Sequence, residues 1–107
     1  MMHTVVIRED VYRAHPWVAR SLYDAFTRAK SRAQAALYDT DALRVMLPWL
    51  TEEIETVRAV LGEDWWPYGI RANRHAIEMF LGYHHQQGLS PRRLSAEQLF
   101  APETLDT

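Results

Sequence analysis

In the stretch DWWPYGIRANRHAIEMF (64–80), Tyr68, Arg71 and His75 are the residues whose types and spacing best suit chemistry. Arginine offers a planar fork that matches a carboxylate. Histidine has a pKa near neutrality and serves as a general acid or base. Placed four apart on a helix, Arg71 and His75 would share one face. A helix N-terminus there would further favour an anion. The three side chains together suit the reception of a carboxylate. A second reading is the plainer one. Trp65, Trp66 and Tyr68 at a turn also suit a plug for the core, with their polar ring edges hydrogen-bonded at the surface. Arg71 would then pair with Glu63 or Asp64.

Other titratable groups carry weaker signals. His75, Glu78 and His85 fall within a sector of about 80° on an ideal helix. Two histidines and a carboxylate are a metal-ligand set in kind, but His75 and His85 lie two to three turns apart and reach one ion poorly. A solvated polar face is the plainer reading, and no metal site is assigned. His84 falls on the apolar side of the same helix and reads as a core histidine. Arg92 and Arg93, after Pro91, form a small basic corner suited to surface ion pairs, which contribute little. The sequence has no glycine-rich phosphate loop, HExxH motif or Ser-His-Asp spacing.

The elements that must position these groups are mainly α-helical. His3 to Arg8 is the one good strand candidate, because Thr4, Val5, Val6 and Ile7 are β-branched. A strand needs a neighbour for its backbone N–H and C=O groups, and no second strand is evident. Glu9 to Ala14 suits a short helix stopped near His15 by Pro16. Pro16 opens the next helix, which runs to about Tyr38 with an apolar stripe from Val18 and Leu22 through Phe26 to Leu37. Asp39 or Thr40 caps a short helix through about Met46, ended by Pro48. Thr51 caps another, whose buried face is Ile54, Val57, Val60 and Leu61, with Gly62 as its stop. A helix from about Arg71 to Gln87 buries Ile77, Phe80, Leu81 and His84. Ser95 to Gln98 reads as a capping box. The expected fold class is thus four to five helices after one N-terminal β-strand, and residues 1–107 form a single, partial domain.

Composition narrows the function classes. Apolar residues make up 48% and charged residues 24% of the chain, which is ordinary for a globular domain and argues against disorder. The net charge is −2 and the single lysine is Lys30. The basic footprint of a nucleic-acid binder is therefore missing. Without cysteine, disulfides, thiolate metal sites and a cysteine nucleophile are excluded. No apolar run approaches the roughly 20 residues of a membrane span. The first ten residues lack the pattern of a signal peptide, so the expected location is cytoplasmic.

Several stretches together resemble a known family. MMHTVVIREDVYRAHPWVARSLYDAF, LYDTDALRVMLPWL, WWPYGIRANRHAIEMF, HHQQGLSPRRL and SAEQLFAPETL are similar, collinearly and over nearly the whole chain, to the C-terminal part of 4,5-dihydroxyphthalate decarboxylases. The EQLF of the last motif is a conservative departure. The resemblance implies a fold like that of type 2 periplasmic binding proteins, with two α/β lobes about a ligand cleft. Residues 3–8 would then join a sheet built by sequence outside these 107 residues. The resemblance also implies non-oxidative decarboxylation of an aromatic carboxylate, without a cofactor. His3 and His75 become catalytic candidates, His3 by analogy with segments that line the cleft where the chain crosses between lobes, and Tyr68 and Arg71 become substrate-binding candidates. With most of the cleft outside these residues, the chain alone is expected to be inactive.

A shared fold does not decide between enzyme and receptor. A fragment of an ABC-transporter-type solute-binding protein is one alternative. A small helical module that dimerises through residues 1–8 is another. The expected partners are a small aromatic carboxylate where the full cleft is present, and either a second copy of the chain or a missing N-terminal part that pairs with residues 3–8.

Overall fold

Proline and acidic residues set the first helices. A computed structural model describes residues 3–107. Helix α1 is Glu9–Ala14, with Glu9 and Asp10 in its first turn and Arg13 in its last, complementing the helix dipole. Pro16 separates it from α2, Trp17–Ala36. Helix α3 is Leu50–Leu61, α4 is Arg74–Gln86 and α5 is the single turn Ala96–Leu99, followed by a 3-10 turn at Pro102–Thr104. Gly62 stops α3 at φ 88° and ψ 178°, a conformation suited to glycine. The capping box at α5 is present, with the Ser95 N–H donating to Gln98 Oε1 at 3.1 Å.

Mainly helical structure is therefore observed, and the described residues contain no strand. This corrects the expected strand at residues 3–8. The physical reason is the missing neighbour: no described residue offers its backbone to Thr4–Ile7. Val6 is left 88% exposed. The α/β lobes implied by the resemblance are likewise not seen among the described residues.

The short helix expected from Asp39 to Met46 is also absent. Its cap does form, because Asp39 Oδ1 accepts from the Asp41 and Ala42 N–H groups at 3.1 and 3.4 Å. A helix of two turns needs tertiary cover to persist, and Leu43, Val45 and Met46 are all exposed. Helix α3 starts one residue before the expected Thr51 cap. Trp49 takes the N-cap position in the left-handed region, at φ 63° and ψ 20°.

The chain divides into two compact units. The first comprises Met1–Tyr23 together with Tyr68–Thr107, of which 1 and 2 lie outside the described residues. Its core is Ile70, Ile77, Leu81 and Ala96, with Leu94, Phe100 and Leu105 packed against them. Ile77 and Leu81 are one turn apart on α4, so a single helical stripe supplies half of the buried set. The C-terminal segment is tied down by polar contacts. The Tyr12 hydroxyl donates to Glu103 Oε2 at 2.8 Å, and Arg20 Nη1 donates to Asp106 Oδ1 at 3.1 Å.

The second unit is Asp24–Pro67. It holds most of α2, the irregular segment 39–49 and α3. Ile54 is its one fully buried apolar side chain among the described residues. Val60 and Leu61, expected on the buried face of α3, are 77% and 63% exposed. Phe26 of the α2 stripe is exposed too. The helical periodicity is real in each case, but the face it marks is uncovered.

Candidate functional site

The turn that carries Tyr68 and Arg71 is held by the chain's last residues. Gly69 sits at φ +91°, and a Cβ there would meet the Thr107 carbonyl carbon at 2.7 Å. Only a residue without a side chain fits this approach. The Arg71 N–H donates to the Thr107 carbonyl oxygen at 2.6 Å. The Ile70 N–H reaches Thr107 Oγ1 at 3.4 Å, and Asn73 Nδ2 donates to the Gly69 carbonyl at 2.9 Å. Between these anchors Ile70 drops into the core at 4% exposure. The turn does plug the core, but with Ile70 and not with the aromatic rings. Trp66 and Tyr68 are exposed and Trp65 is half-buried.

Helix α4 begins at Arg74, so Arg71 and His75 do not share a helix face. This corrects the four-apart pairing. Their side chains are both exposed. Arg71 pairs with neither expected carboxylate: Asp64 is held by Lys30 at 2.8 Å, and Glu63 by Arg58. His3 is exposed in the N-terminal segment.

His75 instead belongs to an open cleft of about 290 Å³ along α4. Its lining is His75, Glu78, Met79, Gly82, Tyr83 and Gln86, with Arg93. The spacing 75, 79, 82 and 86 is one helical stripe. At one end Arg74 pairs with Glu97 at 2.8 Å and with Glu78 at 3.5 Å. The Arg74 guanidinium, with hydrogen bonds from the backbone and Ser95, lowers the Glu97 carboxyl to about 2. Among the described residues no three metal-ligating side chains gather. His85 contacts the Ser90 carbonyl through Nδ1 at 3.3 Å, and His84 is half-buried with its ring centroid 5.7 Å from that of Phe80. Phe80 itself, expected inside, is exposed.

Sequence reasoning placed Arg93 only in a basic corner and passed over Tyr83 and Gln86. The available signal was the stripe from His75 to Gln86. What it lacked was the position of Arg93, which depends on how residues 88–94 return to the helix.

A second groove, of about 490 Å³, lies within the other unit. It is lined by Leu37, Leu43, Leu47, Trp49 and Leu50, with Glu52 and Glu55 at its edge. Glu55 accepts from the Tyr38 hydroxyl at 2.6 Å, and Arg58 donates to both. The Tyr38 hydrogen bond, aided by Arg58, lowers the Glu55 carboxyl, and the same bond raises the Tyr38 phenol. The groove is mainly apolar, with two carboxylates, Glu52 and Glu55, in its lining.

No protein-family model matches the chain. Along all 107 residues it is 37% identical to the 4,5-dihydroxyphthalate decarboxylase of Comamonas testosteroni, an alignment that covers 100% of this chain and 32% of the relative. The chain therefore spans about a third of the length of the curated relative it matches. The similarity seen in the sequence motifs thus extends across the whole chain. No described helix is long and apolar enough to cross a membrane.

Proposed function

We propose that this chain is the C-terminal part of a 4,5-dihydroxyphthalate decarboxylase-like enzyme of the cytoplasm, and that it is inactive on its own. The observation that carries this reading is 37% identity sustained over the full 107 residues. The sheets of a two-lobed binding-protein-like fold, and most of its cleft, would come from the remaining two-thirds of such a protein. The exposure of Val5 and Val6 supports the reading that residues 3–8 are covered there.

The chemistry needs few groups. The bond from the ring to one carboxylate breaks, CO2 departs, and the ring carbon gains a proton. The ring hydroxyl para to the departing group supplies electron density, so oxidation state is conserved and the reaction asks for no redox partner. His75 is the candidate proton donor, and Tyr68 and Arg71 are candidate contacts for the carboxylate that stays. His3 is a second candidate acid through its place in the segment that the rest of the protein would cover.

The test is a chimera in which this chain replaces the matching third of the Comamonas testosteroni enzyme. CO2 release from 4,5-dihydroxyphthalate is expected from the chimera and not from the 107-residue chain. A folded chimera without turnover contradicts the reading. Turnover by the 107-residue chain contradicts the claim that it is incomplete.

A further inference from the structure

Arg93 reaches across the α4 cleft at Gly82. A methyl group added at Gly82 would stand 3.8 Å from its Nη2 and 3.9 Å from its Cζ. The guanidinium thus lies over the point where the helix has no side chain, and His75, Tyr83 and Gln86 of α4 line the same cleft. Several other arginines are engaged: Arg8 with Asp10, Arg13 with Glu9, Arg58 with Glu55 and Glu63, and Arg74 with Glu78 and Glu97. Arg93 forms no ion pair with a described residue. Glu78 is the one acid lining the cleft, and it shares Arg74, at 3.5 Å, with Glu97 at 2.8 Å.

We propose that this cleft binds an aromatic carboxylate, with Arg93 as a fork that holds it. The choice of an aromatic carboxylate rests on the decarboxylase-like reading; the choice of Arg93 rests on the cleft itself. Tyr83 and Gln86, which also line the cleft, carry a hydroxyl and an amide that can donate. Met79 offers an adaptable apolar surface for a ring. The volume of about 290 Å³ suits a single substituted benzene and is at the small end for ligand clefts. His75 lines the same cleft two helical turns before Gly82, about 10 Å along the axis.

The experiment is an NMR titration of the 107-residue chain with phthalate, using catechol as the control without carboxylates. Saturable shifts are expected at Gly82, Tyr83 and Gln86 with phthalate and not with catechol. Arg93→Gln is expected to weaken phthalate binding at least tenfold, and Arg92→Gln, at a neighbouring arginine outside the cleft lining, to leave it within twofold. Absent binding, shifts centred elsewhere, or equal binding by Arg93→Gln would overturn the assignment. The chimera separates the two readings. If it turns over and Arg93→Gln leaves KM unchanged, the cleft assignment falls and the decarboxylase reading stands. If phthalate binds at the cleft but the folded chimera is inert, the decarboxylase reading falls and the cleft stands.

Discussion

The unit built on α4 and the unit built on α3 use similar sequence patterns to different ends. Helix α4 buries Ile77 and Leu81 against Ile70 and Ala96, and Leu94, Phe100 and Leu105 close over them. Helix α3 has an apolar stripe of comparable length, yet only Ile54 is buried. Around it Leu43, Leu47 and Trp49 line an open groove. The difference lies in what the rest of the chain supplies. Residues 94–107 return to cover α4, whereas 39–49 stay irregular and leave α3 exposed. Periodicity marks the face that is to be buried; only a tertiary partner buries it.

The comparison is broken most severely by truncating its two central side chains. Ile77→Ala should cost roughly 2–5 kcal/mol, the usual range for a packed core site. Ile54→Ala should fall at or below the lower end of that range, about 2 kcal/mol, because no other described side chain of its unit is buried with it. Urea unfolding of the two variants measures both. Gly69→Ala comes next, because it forces a side chain into the left-handed region and against Thr107. A loss of about 2 kcal/mol is expected, with faster exchange of the Arg71 amide, whose acceptor is the Thr107 carbonyl.

The smallest effect is the pH dependence that Glu97 gives the first unit. Glu97 has its carboxyl lowered from 4.5 to about 2 by Arg74. The unfolded chain therefore binds the proton more readily than the folded one, and stability rises with pH across this range. The Glu97 contribution is fully present above about pH 4.5 and is lost as pH falls toward 2. Glu97→Gln should flatten that part of the stability profile, as followed by thermal melts at stepped pH. Because both partners are well exposed, salt should weaken the effect.

Local chemistry made part of this legible in the sequence. Pro16 and Gly62 end or separate helices where expected, and Ser95 with Gln98 makes its capping box, because each acts within a few residues. The strand at 3–8 and the helix after Asp39 failed for a shared reason: both need cover that no described residue provides. Phe80 and Val60 were misplaced because a helical stripe shows direction and not occupancy. The place of His75 on the α4 stripe was readable from its own helix. Arg93 was not, because its approach to Gly82 joins two segments with a turn between them. The hold of Thr107 on Gly69 and Arg71 spans 36 or more residues and leaves no sequence motif beyond a glycine.

Amide hydrogen exchange on the 107-residue chain tests the contrast between the two units most directly. The Ile77–Leu81 amides of α4 should be among the slowest in the molecule, and the Val57–Leu61 amides of α3 at least tenfold faster, since local opening follows the apolar cover. Equal protection in the two helices, or slower exchange in α3, would contradict the claim that one unit carries its own core and the other does not.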